Sequence, residues 1–177
     1  YPPLFSYGGP TKSIKGIFNI LKNNGYDTYV LSPKSSLSGV EVNEVHFVKD
    51  KKIIFSNFPL FYILNNGFKF DIIWFNSFFE LKLLVLIISK IIYRYRLIIS
   101  PRGQLSTEAI NTSNPLLKKI FIKIISTISS KISFHATDHD ENLDIVRFCK
   151  RNRVTILKNI FSLKYYKNSV TNPKFIF

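Results

Sequence analysis

Two short segments of this chain hold residue types suited to gripping an anion or a polyol. In Ser100-Pro101-Arg102-Gly103-Gln104-Leu105 an arginine stands beside a glycine, just after an apolar run. A guanidinium offers a planar fork of donors that matches a phosphate, a carboxylate or sugar hydroxyls, and a neighbouring glycine leaves the approach open. The competing reading is a surface arginine in a turn, which has little energetic consequence. Gly8-Gly9 stands directly before a helical pattern. Two residues without Cβ let backbone approach a ligand closely, and the free N–H groups of a helix start favour negative charge. A lone Gly-Gly is also an ordinary tight turn, and the further glycine and ribose-binding acid of the dinucleotide fingerprint are absent.

Asp138-His139-Asp140-Glu141 contains metal-ligand types, but four consecutive residues on one helix turn point in different directions. They suit a helix start better. Thr137 or Asp138 can be the N-cap, Asp140 or Glu141 can complete a capping box, and early acids complement the helix dipole. His135 and His46 lie in or beside strand patterns, where a hydrogen-bonded structural histidine is expected. Cys149 is the single cysteine, which excludes an internal disulfide and suits a small buried hydrophobe.

Something must hold these residues in place, and the hydrophobic periods say what. Ile14, Ile17, Phe18 and Leu21 recur at helical spacing over Thr11–Asn24, with Gly25 where a C-terminal cap belongs. Tyr26–Ser32 reads as a strand, followed by short strands at Glu44–Val48 and Lys52–Phe55. Pro59–Asn66 reads as a short helix closed by Gly67, and Phe70–Phe75 as a strand buried on both faces. Helix Phe79–Tyr93, strand Arg96–Ser100, helix Leu116–Ser130 opened by Asn114 and Pro115, strand Ile132–Ala136, helix Asp138–Phe148 and strand Arg153–Leu157 complete the series. Alternation of this kind requires parallel strands joined by crossover helices, a Rossmann-like open α/β sheet with helices on both faces. In such sheets ligands bind at the carboxyl ends of strands, where Gly8, Gly9, Asn76, Arg102, Gly103, Glu141 and Asn159 fall. After Ser162 the chain turns polar, and Lys174–Phe177 reads as the opening of a new strand.

Composition narrows the class. The chain has 177 residues, 46% of them hydrophobic, which excludes intrinsic disorder and suits one domain with a short addition. Its 25 basic against 11 acidic residues give a net charge of +14, which raises nucleic acid or an anionic membrane as partners. Abundant Lys, Asn, Ile, Phe and Tyr, with alanine only at 109 and 136, trace part of that charge to AT-rich codons. The most apolar window, Leu81–Ile92, is interrupted by Lys82 and Lys90 and is shorter than the ~20 residues a membrane span needs. Along Leu116–Ser130, Leu117, Ile120, Phe121, Ile124, Ile125 and Ile128 lie on one side and Lys118, Lys119 and Lys123 largely opposite. That is either a core helix with a basic solvent face or a helix lying on an anionic membrane.

Taken in order, these segments resemble the amino-terminal domain of family-4 glycosyltransferases, enzymes built from two Rossmann-like domains. Pro2-Pro3, Tyr7-Gly8-Gly9-Pro10-Thr11-Lys12-Ser13 and Asn24-Gly25-Tyr26-Asp27 look like that family's glycine loop and first helix. Asp71–Asn76 is similar to its central strand, and Ser100–Leu105 to its "sPRGmL" segment, the most specific match. Phe134–Glu141 and Val154–Asn159 resemble the strand leading to a helix-opening glutamate and the strand ending in a "PNG" turn. Two departures stand out: Asn76-Ser77 replaces a histidine common after the central strand, and the turn is reduced to Lys158-Asn159-Ile160.

The resemblance implies a retaining transferase that moves a sugar from a nucleotide-diphosphate sugar to a saccharide or lipid-linked acceptor, in surface polysaccharide or glycan biosynthesis. No metal or other cofactor is then required, because helix dipoles and basic side chains neutralise the departing diphosphate. Gly8 and Gly9 would approach the donor phosphate or reacting sugar, and Arg102 with Gly103 would bind acceptor or diphosphate. Asn76, Glu141 and Asn159 would line the cleft. Residues 1–161 would form the acceptor-side domain, lacking a first strand expected before Tyr1, and residues 162–177 a linker and the start of a donor-binding domain. Alone, such a piece would be inactive. The enzyme would be cytoplasmic and peripheral at the inner membrane face, with no nucleic-acid partner. The alternative is a non-catalytic basic α/β module that binds a membrane surface or nucleic acid.

Overall fold

The computed structural model describes residues 9–33, 53–56, 59–128, 132–149, 153–158 and 174–177. The chain divides into two compact units, residues 1–72 with 159–177, and residues 73–158.

The first unit opens with helix α1 (Gly9–Asn23), which buries Ile14 and Phe18 against Val30 of strand β1 (Asp27–Pro33), with Phe177 packed on the same cluster. The helix stops as its sequence demands. Gly25 adopts φ 84°, Tyr26 N–H reaches Leu21 O at 3.0 Å and Gly25 N–H reaches Lys22 O at 3.1 Å. These two bonds are a Schellman closure, which needs a left-handed residue at that point and so favours glycine. Strand β2 (Ile53–Ser56) pairs parallel to one edge of β1, with Val30 opposite Ile53. Helix α2 (Pro59–Asn66) begins on a proline and runs into a 3₁₀ turn at Gly67–Lys69.

The strand expected over Glu44–Val48 lies outside the described residues, as do Gly8 and Asn159. Lys174–Ile176, expected to open a further domain, form a strand parallel to the other edge of β1, with Asp27 opposite Lys174. The compact units accordingly do not divide after residue 161.

The second unit carries four strands: β3 (Ile72–Phe75), β4 (Arg96–Ile99), β5 (Ser133–Ala136) and β6 (Arg153–Ile156). They form an all-parallel sheet in the order β3-β4-β5-β6, flanked by helices, a Rossmann-like open α/β arrangement. Between them lie α3 (Leu81–Tyr93), α4 (Thr107–Asn111), α5 (Pro115–Ile128) and α6 (His139–Phe148). Leu97, Ile99, Phe134 and Ala136 are buried along the central strands, and Leu83, Leu86, Ile125 and Ile145 are buried on the helices. Tyr95 locks α3 to β4: its hydroxyl donates to Leu86 O at 2.6 Å and pairs with Ser89 Oγ, and burial pushes its pKa up to about 12.

Three details differ from the sequence expectation. Helix α4 falls where a loop was expected; Ser106 caps it by accepting from Ala109 N–H at 3.1 Å, but five residues are too few to display a period. Asn114 precedes α5 with φ 56°, the left-handed region, not the extended backbone of a side-chain cap. The third concerns which side of α5 faces inward. Ile122 and Ile125 are buried and Lys118 and Phe121 half-buried, while Leu117, Ile120, Ile124 and Ile128 are exposed. Of the two readings of this stripe, the core one does not hold, because most of its side chains are exposed. Lys118, expected outside with the other lysines, donates to Ala109 O at 2.6 Å and Thr112 O at 2.9 Å and lies over the Phe79 ring. It takes the exposed last carbonyls of α4, which have no partner within that helix.

Candidate functional site

The carboxyl ends of β3, β4 and β5 bring three loops together, and Pro101–Leu105 is their hub. Arg102 donates from Nε (3.2 Å) and from a terminal nitrogen (2.8 Å) to Oδ1 of Asn76, which follows β3. Gly103 N–H donates to Glu141 Oε1 at 2.8 Å, reaching the first turn of α6. Gln104 Oε1 accepts from the N–H groups of Phe78 (2.5 Å) and Phe79 (3.3 Å), in the loop leading to α3. Leu105 is fully buried. Side chain by side chain, the segment ties its loop to its neighbours.

That arrangement demands an unusual backbone. Arg102 (φ 56°) and Gly103 (φ 74°) are consecutive left-handed residues. For arginine this conformation costs about 1 kcal/mol, and it is tolerated only where surrounding contacts impose it. At Gly103 a Cβ would meet nothing within 4 Å, so glycine is needed there for its backbone alone. Gly103→Ala is therefore expected to lower the unfolding free energy by about 1 kcal/mol, read from urea denaturation. A loss several times larger would indicate a steric role.

Glu141 is the second anchor. Its carboxylate is buried, with Oε1 taken by Gly103 and Oε2 accepting from Thr137 N–H and Thr137 Oγ1, both at 2.7 Å. Asp138 caps α6 by accepting from Glu141 N–H at 2.8 Å, the helix start expected from sequence. Glu141 departs from a simple capping box: its carboxylate spans two loops and is spent on the protein's own donors. Among the described residues, no three His, Cys, Asp or Glu side chains group as metal ligands.

Beneath this surface a chain of buried polar groups crosses the sheet, with one member at each strand. Trp74 Nε1–H donates to Ser100 Oγ at 2.6 Å, Ser100 Oγ meets His135 Nδ1 at 2.8 Å, and His135 Nε2 meets Leu157 O at 3.0 Å. A carbonyl can only accept, so Nε2 carries the imidazole proton. Nδ1 is then the acceptor of the Ser100 hydroxyl, whose oxygen receives the indole N–H. Burial lowers the His135 pKa from its ordinary value, and the nearby Arg102 charge lowers it further. The Trp74 and His135 rings meet edge-on at 5.0 Å. His135 is thus the hydrogen-bonded structural histidine anticipated from its strand position. The burial expected of Cys149 is also found, and it pushes that thiol up to about 11.

Of the residues singled out by sequence, Asn76 meets Arg102 and Gly103 meets Glu141. Gly9 is the first residue of α1 in the other unit. Sequence reasoning assigned no role of their own to Ser100 and Gln104 and offered Thr137 only as a helix cap. The available signal was their position: each is polar and directly follows, or lies within a few residues of, an apolar strand pattern.

The open parallel α/β sheet is a Rossmann-like fold, with a half-exposed arginine held at its strand ends. No family model, no curated protein and no solved structure matches the chain.

Proposed function

We propose that this chain is the acceptor-side part of a retaining glycosyltransferase, moving a sugar from a nucleotide-diphosphate sugar to a saccharide or lipid-linked acceptor in surface polysaccharide or glycan biosynthesis. The observation that supports it most is the Arg102 guanidinium, held by Asn76 on a left-handed backbone at the carboxyl end of a parallel strand. A cation fixed in that place can bind the oxyanion of a diphosphate or the hydroxyls of an acceptor sugar without reorganising when charge develops. The order of glycine loop, central strand, Pro-Arg-Gly segment and helix-opening glutamate along the chain points the same way. In this reading a second domain supplies the groups that grip the donor diphosphate, no divalent metal takes part, and the enzyme works in the cytoplasm at the inner membrane face.

The test uses the full-length protein with a panel of nucleotide sugars. Arg102→Gly removes the guanidinium and also relieves the backbone, so its thermal midpoint should stay near wild type while transfer falls by about 10²-fold or more. Unchanged transfer would remove Arg102 from the site. Absence of transfer or donor hydrolysis by the wild type, across the panel, would reject the reading.

A further inference from the structure

We infer that the outer faces of α3 and α5 form one docking surface for an anionic lipid bilayer. The inference rests on these two helices alone and is independent of sugar transfer.

Both helices are crossovers between neighbouring parallel strands, β3 to β4 and β4 to β5. Right-handed crossovers place such helices on the same face of the sheet. The segment leading into α3 also adjoins α5: the Phe121 ring of α5 lies 6.0 Å from that of Phe79, two residues ahead of α3. On α3 the exposed residues include Leu81, Ile88, Ile91 and Ile92, one stripe at i, i+7, i+10 and i+11, with Ile91 75% exposed. On α5 they are Leu116, Leu117, Ile120, Ile124 and Ile128, with Leu116 71% exposed. Single exposed apolar residues need no explanation; two adjoining stripes of them do.

The charge beside these stripes selects the occupant. Neither helix contains an acidic residue. Lys119 and Lys123 are exposed along one border of the α5 stripe, and exposed Lys82, Arg94 and Arg96 flank the ends of α3. Glu80, just ahead of α3, pairs with Lys82 at 3.4 Å, so Lys119, Lys123, Arg94 and Arg96 are the cations that set the border, which matches acyl chains beneath anionic headgroups. A second copy of the chain fits poorly, since neither helix carries an acid to meet its own lysines and Glu80 is already engaged by Lys82. Lys118 is not part of the surface, because it is committed to the carbonyls closing α4.

Flotation with phosphatidylcholine vesicles, with and without phosphatidylglycerol, tests the surface. The protein should float with the anionic vesicles and remain largely at the bottom with neutral ones. Lys119→Gln/Lys123→Gln should lower the partition coefficient by about thirtyfold, the effect of two lysines near an anionic surface. Ile120→Ser/Ile124→Ser should also abolish flotation, with an unchanged circular-dichroism melt, since both side chains already face solvent. Flotation of either double variant at the wild-type level would overturn the proposal, as would equal binding to neutral vesicles. A wild type that stays unbound but dimerises in sedimentation velocity, with the dimer lost in Ile120→Ser/Ile124→Ser, would assign the face to self-association and also overturn it.

Discussion

His135→Ala is expected to be among the most destabilising single substitutions in the chain, at about 3–4 kcal/mol. The substitution removes both bonds of the imidazole and leaves the Ser100 hydroxyl and the Leu157 carbonyl without the partners that now satisfy them. Each lost partner of a buried polar group costs about 1–3 kcal/mol, and the vacated volume adds a cavity term. The effect carries a pH signature. The His135 pKa is lowered in the folded state, so between that value and the ordinary 6.5 the unfolded chain binds more protons. This contribution to stability is complete above about pH 6.5 and declines as the pH falls toward the folded pKa. Urea denaturation at a series of pH values should show a smaller decline below pH 6.5 in His135→Ala than in the wild type. The same decline in both proteins would place the titrating group elsewhere. Ser100→Ala should cost less, about 2 kcal/mol, because it strands the Trp74 indole N–H but leaves the Leu157 bond intact.

The second large effect is expected at Glu141. Glu141→Ala strips the acceptor from two backbone N–H groups, those of Gly103 and Thr137, and from the Thr137 hydroxyl. Bonds to a charged acceptor contribute more than neutral ones, so a loss of about 3–5 kcal/mol is expected. Glu141→Gln preserves the shape but points an NH₂ group at one of those donors, and about 2 kcal/mol should go. Paired with Arg102→Gly, the two Glu141 variants separate structure from chemistry. Arg102→Gly should lose transfer while keeping its melting temperature. Glu141→Ala should lose both together, because the turn that presents Arg102 is pinned through Gly103 N–H to Glu141. Transfer retained by a destabilised Glu141→Ala protein would mean that the turn holds Arg102 without this clamp.

Much of the framework was legible because it follows from local chemistry. The end of α1 was written in Gly25, whose missing Cβ permits φ 84°. The start of α6 was written in Asp138 and Glu141, three residues apart. The strands showed as apolar runs because parallel strands covered on both faces admit little else. Alternation with helical periods then dictated a parallel sheet, and a parallel sheet gathers its ligand-facing loops at one end. Arg102 and Gly103 could be nominated from that reasoning alone, whereas the site roles of Asn76 and Glu141 came from the family resemblance.

Their mutual bonds could not. Nothing in the spacing of 76, 102 and 141 indicates that Asn76 takes the arginine fork, or that the Glu141 carboxylate is consumed by Gly103 and Thr137. Which face of α5 packs inward was left open for a related reason. Leu117, Ile120, Phe121, Ile124, Ile125 and Ile128 form an apolar arc wide enough to bury from either side. A single well-placed contact, the Lys118 ammonium on the carbonyls of Ala109 and Thr112, belongs to the geometry that decides the rotation. The amino-acid order by itself determined the elements, their parallel arrangement and the residues at the strand ends, since each depends on neighbours within one helical turn or one strand. Only the tertiary structure decided which donors meet which acceptors and which helix face is left exposed. Those outcomes depend on groups tens of residues apart, brought within 3 Å by the sheet, where buried polar groups demand partners.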